Sequence, residues 1–272
     1  MANCNHDCAN CAQKGNCSDE IVKSKPNDAS NIKRVIGVLS GKGGVGKSFI
    51  TSAIATYLSR NGLKVGILDA DITGPSIPKA FGIKEKAYGE DNMIFPARTV
   101  GGVEVMSANL LLDNDTDPII WRGPLLANLV KQFFENVAWG ELDVLLIDMP
   151  PGTGDVALTI FQSLPVDDLI IVTSPQDLVS LIVSKAIKMA ELMKIHVLGV
   201  IENMSYLICP KCDEKIPLFG ESHLEEFAKQ MNFDILAKLP LKSVNTELMD
   251  KGEIEKLVLP EIQPVIDKIK GE

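Results

Sequence analysis

At 272 residues the chain can bury one large α/β core with small appendages. Its 27 basic and 36 acidic residues leave a net charge of −9, which speaks against non-specific nucleic-acid binding, because neutralising phosphates needs a basic surface. No stretch approaches the ~18 uninterrupted apolar residues of a membrane span, and the first residues lack the basic and apolar regions of a secretory leader. A cytoplasmic chain is expected, in which the six cysteines read as metal ligands or redox groups rather than disulfides.

Residues 1–30 are polar and contain Cys4, Cys8, Cys11 and Cys17. Their apolar content is too low to offset the entropy of ordering, so a metal would have to organise them. Four thiolates this close can wrap one centre, and spacing alone does not choose between an iron–sulfur cluster and zinc. The plainer readings are a tail with incidental cysteines and a structural zinc knuckle. The Cys4-x₃-Cys8-x₂-Cys11 spacing also matches radical S-adenosylmethionine enzymes, but there the triad follows a barrel strand, and only three residues precede Cys4 here. The expected division is a cysteine-rich metal-binding segment, 1–30, and one domain, 31–272.

That domain opens with an apolar run, Val35–Leu39, which reads as a buried strand. Gly41-Lys42-Gly43-Gly44-Val45-Gly46-Lys47-Ser48 follows, and then Ile50, Ala53, Ile54, Tyr57 and Leu58 at helical spacing. Strand, glycine-rich loop, helix is the setting of a phosphate-binding loop. The glycines let several N–H groups point inward, and the helix N-terminus adds about half a positive charge. Lys47 would reach the β/γ-phosphates and Ser48 would ligate Mg²⁺. Lys42 is a second lysine that the general pattern does not demand, and its plain reading is a solvated loop charge.

Asn61-Gly62 signals the end of that helix. The next strand, Lys64–Leu68, delivers Asp69 and Asp71 to the end of the sheet where open α/β proteins bind ligands. Asp71 could orient or deprotonate the attacking water and Asp69 could support the Mg²⁺ shell; alternatively both are turn or cap residues. Met93–Phe95 and Val103–Met106 are expected to form a hairpin through Gly101-Gly102. Trp121 to Trp139 is mostly helical in pattern, with Leu125, Leu126, Leu129, Val130, Phe133 and Phe134 on one face. Val144–Ile147 is a buried strand ending in Asp148, where dry walls would hold a carboxylate beside the metal. Gly152 could bring its N–H to the γ-phosphate and act as a switch.

Leu169–Val172 and Val197–Ile201 are further buried strands, separated by a helical stretch. The second strand ends in Glu202-Asn203-Met204-Ser205. An Asn-Lys-x-Asp guanine-reading motif is absent there, which favours ATP over GTP. Cys209-Pro210-Lys211-Cys212 follows in a loop. It could be a redox pair, half a zinc site completed by His223 or by the N-terminal cysteines, or half the ligand set of a 4Fe–4S cluster held between two copies across a twofold axis. The symmetric arrangement is preferred. A last strand is expected near Asp234–Leu241. The tail places Ile262, Val265, Ile266 and Ile269 on one helical face, better suited to docking on the domain than to a membrane surface.

Together, Gly41–Ser48, Asp69–Ser76, Asp148–Asp155, Glu202–Ser205 and Cys209–Cys212 resemble the Mrp/ApbC/Nbp-type iron–sulfur cluster carrier ATPases of the MinD/ParA-like group with a deviant Walker A motif. The resemblance runs from about Lys33 to the C-terminus. It implies an open, mostly parallel P-loop NTPase sheet with helices on both faces. It also implies a homodimer that carries a labile bridging 4Fe–4S cluster on Cys209 and Cys212, hydrolyses ATP slowly and delivers the cluster to apo iron–sulfur proteins. On this resemblance Lys42 reaches the partner's nucleotide and Asn203 hydrogen-bonds the adenine edge. The nucleotide ligands are then Gly41, Lys42, Gly43, Gly44, Val45, Gly46, Lys47, Ser48, Phe49, Gly152 and Asn203. Lys42, Lys47 and Asp71 are catalytic, and Ser48, Asp69 and Asp148 serve Mg²⁺. Cys8-x₂-Cys11-x₅-Cys17 is similar to the eukaryotic Nbp type. Cys4 lies closer to Cys8 than that type has it, so the resemblance does not extend to the fourth ligand.

Overall fold

The structure is a computed structural model and describes residues 23–71, 76–90, 93–111, 123–175, 179–220 and 222–271. Cys4, Cys8, Cys11 and Cys17 lie outside these residues.

Among the described residues, seven strands and eight helices build the body. They are β1 (Val35–Ser40), α1 (Lys47–Arg60), β2 (Val65–Asp69), α2 (Ser76–Ala80), β3 (Glu104–Ser107), α3 (Gly123–Asn136), β4 (Val144–Asp148), α4 (Asp155–Ser163), β5 (Asp168–Thr173), α5 (Val179–Leu192), β6 (His196–Ile208), α6 (Leu224–Met231), β7 (Ile235–Pro240), α7 (Ser243–Lys251) and α8 (Gln263–Lys270). The seven strands lie parallel in the order β7-β6-β5-β1-β4-β2-β3; Ala97–Arg98 adds antiparallel to β3 at one edge, and Lys215–Ile216 pairs antiparallel with the last residues of β6.

Both faces of the sheet are dry, which is why its strands read as unbroken apolar runs rather than alternating ones. Ile36, Val38, Ile67, Val105 and Leu146 point to one face, where α1, α2 and α8 cover them. Val35, Leu39, Leu68, Leu145 and Ile147 point to the other, beneath α3, α4, α5 and α6. The helix α1 stops at the expected signal: the Asn61 N–H bonds back to Tyr57 and Leu58, and Gly62 takes φ +84°, a conformation glycine adopts without strain. The tail docks on the domain, since Ile262, Val265, Ile266 and Ile269 are all buried. Among the described residues no helix is long and apolar enough to cross a membrane.

Three expectations need correcting. Met93–Phe95 pairs with Tyr88–Glu90 instead of with residues 103–106, and the turn through Gly101-Gly102 joins Ala97–Arg98 to β3. The strand β3 itself is recruited into the main sheet beside β2. The helix over 121–139 ends at Asn136, because Val137 bridges to Ile94 and Trp139 turns into the core. Leu125, expected on the buried face of that helix, is 57% exposed.

Residues 23–32 lie along the body. Lys23 donates its ammonium to the carbonyls of Phe161 (2.6 Å) and Leu164 (2.9 Å) at the end of α4, where a cation complements the helix dipole. Asn27 caps the carbonyls of Glu135 and Val137, and Ser30–Ile32 runs parallel to Gly140–Leu142.

Candidate nucleotide site and cysteine hairpin

Parallel pairing sets the floor of the site. Ser107, Asp69, Asp148 and Val38 stand in one register row across β3, β2, β4 and β1, so two aspartates meet at the carboxyl edge of the sheet. The chain leaves β1 beside them, forms the glycine-rich loop and enters α1. Gly44 (φ +80°) and Gly46 (φ +82°) hold left-handed conformations, and a side-chain carbon added at Gly43 or Gly44 would meet none of the described residues within 4 Å. The loop is therefore an open cradle of backbone. Among the described residues no side chain caps α1, and no acid lies in its first turn, which leaves its N–H groups available to an anion.

Lys47 is 5% exposed, with its ammonium 2.9 Å from Asp148 Oδ2 and 3.3 Å from Asp71 Oδ2. Burial alone would pull its pKa down, but Asp148, Asp71 and Asp69 outweigh that and raise it, so Lys47 stays a cation. Asp69 is the opposite case. Complete burial, with the charge of Asp148 next to it, pushes its carboxyl well above the usual range, against the pull of Lys47 and Ser107. Ser107 Oγ donates to Asp69 Oδ2 (2.9 Å), and the Asp71 N–H donates to Oδ1 (3.1 Å).

Ser48 Oγ donates to Asp148 Oδ2 at 2.6 Å, Thr51 Oγ1 donates to Oδ1 at 2.7 Å, and Ser76 Oγ lies 3.4 Å from Ser48 Oγ. A hydroxyl and an aligned carboxylate at the mouth of a phosphate cradle form the hard oxygen set that suits Mg²⁺. The Gly152 N–H donates to the Ser40 carbonyl at 2.7 Å, with φ +88° at Gly152, so reaching a phosphate would require exchanging that partner. Lys42 is half-buried within the loop.

Behind the loop lies a cavity of about 230 Å³, lined mostly by apolar atoms of Phe49, Met204, Leu241 and Met249, with Asn203, Lys242, Asn245 and Thr246 as polar residues. The Asn203 amide Nδ2 donates to the Val45 carbonyl (2.9 Å), which leaves its oxygen as the group free of that bond. Asn245 is 7% exposed, and its Oδ1 has no hydrogen-bond partner among the described residues. A mostly apolar cavity with an acceptor left without a partner suits a base that carries an amino group.

The strand β6 passes this cavity and runs on to Ile208, where Lys215–Ile216 pairs back on it. Cys209 and Cys212 sit in the tip, closed by the bonds from the Cys209 N–H to Glu214 O (2.9 Å) and from the Asp213 N–H to Cys209 O (3.0 Å). Among the described residues neither thiol is in a disulfide; Cys209 is half-buried and Cys212 exposed. The backbone N–H groups of Lys211 and Cys212, with the Cys212 side chain, favour the Cys209 thiolate and lower its pKa. Ile216, Leu218 and Phe219 beside the tip are exposed. Among the described residues the pair gathers no third His, Cys, Asp or Glu, and His223 stands instead near Glu226 (3.9 Å).

The structure thus brings Lys47, Ser48, Asp69, Asp71 and Asp148 together and sets Cys209 and Cys212 apart from them on an arm. Sequence reasoning missed Thr51, Ser76, Ser107 and Asn245. Thr51 lies three and four residues after Ser48 and Lys47, so its place on the same helix face was available from spacing alone.

The family model described as ParA, NUBPL iron-transfer P-loop NTPase, matches residues 31–269. The chain belongs to this family. A protein from Clostridium perfringens called iron–sulfur cluster carrier protein is 44% identical over 268 residues, spanning 92% of this chain and 94% of its own. One of the same name from Methanocaldococcus jannaschii is 42% identical across 100% of this chain and 99% of its own. Among solved structures, a nucleotide-binding protein from Archaeoglobus fulgidus in complex with ADP, with cobalt found, superposes with a TM-score of 0.75. That protein is 44% identical, over 83% of this chain and 88% of that one. As a member of the family, this chain is a P-loop NTPase with the mostly parallel sheet the motifs led us to expect.

Proposed function

We propose that this protein is an ATP-dependent carrier of iron–sulfur clusters, cytoplasmic in its working place, that takes up a labile 4Fe–4S cluster on Cys209 and Cys212 and delivers it to apo iron–sulfur proteins. The observation that carries this reading is that one strand, β6, lines the nucleotide cavity at Asn203 and ends at the cysteine pair. The relatives named as carriers support it. One chain offers two thiolates at the tip and a cluster takes four, so a homodimer with the tips facing across a twofold axis supplies the set. Cys4, Cys8, Cys11 and Cys17 form a separate metal-binding segment, holding either iron–sulfur or zinc.

The residues Gly41 to Phe49 cradle and cover the triphosphate, and Asn203 and Asn245 face the adenine. Lys47 shifts its charge from Asp148 and Asp71 to the β/γ-phosphates, and Lys42 serves the partner's nucleotide. Ser48 and Asp148 would hold Mg²⁺, with Asp69 behind them. That ion supplies positive charge against the phosphate oxygens. Asp71 orients the attacking water by accepting its hydrogen bond. Gly152 exchanges Ser40 for the γ-phosphate, so hydrolysis releases the segment that leads into α4. Turnover is slow because hydrolysis gates ligand exchange rather than driving metabolism.

Anaerobic reconstitution with iron and sulfide tests this reading. The wild type should acquire equivalent iron and sulfide, run as a dimer and pass the cluster to an apo-ferredoxin. The Cys209→Ala, Cys212→Ala variant should lose the transferable cluster while still binding ATP. A transferable cluster retained by that variant would overturn the proposal.

A further inference from the structure

Glu202 is a buried carboxylate, 1% exposed, that takes no part in the chemistry above. Its two oxygens accept from two hydroxyls on either side of the cysteine hairpin: Ser205 Oγ to Oε2 and Ser222 Oγ to Oε1, each at 2.5 Å. Ser205 precedes the arm and Ser222 comes after it, so one side chain grips both ends of the segment carrying Cys209 and Cys212. Losing these bonds would leave two buried carboxyl oxygens without partners.

The next residue faces the other way. Asn203 bonds the Val45 carbonyl of the phosphate loop, and a side-chain carbon on Gly46 would come within 2.3 Å of its amide nitrogen. Between the two bonds Met204 takes φ +57°, and the register of β6 on β7 shifts between Glu202 and Tyr206. A bulge of this kind bends a strand and re-aims the residues beyond it. Residues 202–205 therefore meet the phosphate loop on one side and the root of the hairpin on the other.

We propose that Glu202 is a positioning residue that makes the aim of the Cys209–Cys212 hairpin depend on the state of the phosphate loop. This rests on the reading that the loop binds ATP and the hairpin holds the cargo. A shift of the Val45 carbonyl pulls on Asn203, and the bulged peptide turns with it. Because Glu202 holds Ser205 and Ser222 together, the hairpin moves as one body. Without that grip its two roots part and the displacement is lost.

The test uses the full, reduced, metal-free chain, with the rate of Cys209 alkylation measured with and without a non-hydrolysable ATP analogue and Mg²⁺. In the wild type the two rates should differ by at least about fivefold, the lower end of ordinary coupling between sites. In Ser205→Ala, Ser222→Ala the ratio should fall to within about twofold of one, although the analogue still binds. Glu202→Gln, which keeps the shape and can bond both hydroxyls, should retain most of the wild-type ratio. If the double variant does not fold, Ser222→Ala alone frees the far root and the same ratio is read from it. A serine variant that keeps the wild-type ratio, or a wild type whose ratio is one, overturns the proposal. Reconstitution of the wild type with iron and sulfide separates this failure from failure of the carrier function, because it needs no nucleotide response.

Discussion

Asp69 and Asp148 face each other in register as the last residues of adjacent parallel strands, both buried beneath Lys47. A single cation does not fully offset the pair, and Asp69 carries the excess as a raised pKa, caused first by burial and then by Asp148. A carboxyl whose folded pKa is raised binds its proton more tightly in the folded state, so its contribution falls as pH rises from about 3.9 through the raised value. Asp69→Asn should therefore be more stable than the wild type at neutral pH. The gap in urea midpoint should widen with pH across that window and then level off. A gap that narrows as pH rises would contradict this account.

Thr51 fixes the carboxylate of Asp148 from the side opposite Ser48, at 2.7 Å. Thr51→Val keeps the shape but removes the donor. Groups that orient metal-binding carboxylates are typically worth 10–100-fold, so the Mg²⁺ concentration for half-maximal ATP hydrolysis should rise by about tenfold. A Mg²⁺ titration of the hydrolysis rate measures this.

Gly46→Ala attacks the loop from within. The position has φ +82°, and the new carbon would sit 2.3 Å from the Asn203 amide nitrogen. We expect ATP affinity to drop at least about tenfold by calorimetry, with the strain costing about 1–2 kcal/mol of stability. Undiminished affinity would mean that the bond from Asn203 to Val45 is dispensable.

Alkylation across pH should also report the favoured thiolate of Cys209. With its thiolate favoured by the N–H groups of Lys211 and Cys212, Cys209 should titrate with a midpoint below that of an ordinary thiol, about 8.5. Site-resolved mass spectrometry across pH reads the midpoint directly.

Much of the fold was legible because buried parallel strands write themselves as apolar runs: Val35–Leu39, Val144–Ile147 and Leu169–Val172 all fall within strands. The pairing of Met93–Phe95 was not legible, because three-residue strands take their partners from tertiary packing rather than from local pattern. In the site, Gly41–Ser48 and Asp148 announce themselves through context. Ser107 and Asn245 do not. Ser107 matters only because β3 is placed beside Asp69, and Asn245 only because α7 folds behind the phosphate loop. Glu202 was visible as a letter next to Asn203, but its two bonds join residues 205 and 222 around a loop whose closure no spacing rule foretells.

The length of β6 has a mechanical meaning. A strand advances about 3.3 Å per residue, so the stretch from Glu202 to Cys209, bent at the Met204 bulge, spans at most about 23 Å. A swing of about 10° at its root would carry the sulfur by up to about 4 Å, against a metal–thiolate bond of about 2.3 Å. Small rearrangements around a phosphate are thus geometrically sufficient to make or break ligation at the far end, with no large movement of the domain itself.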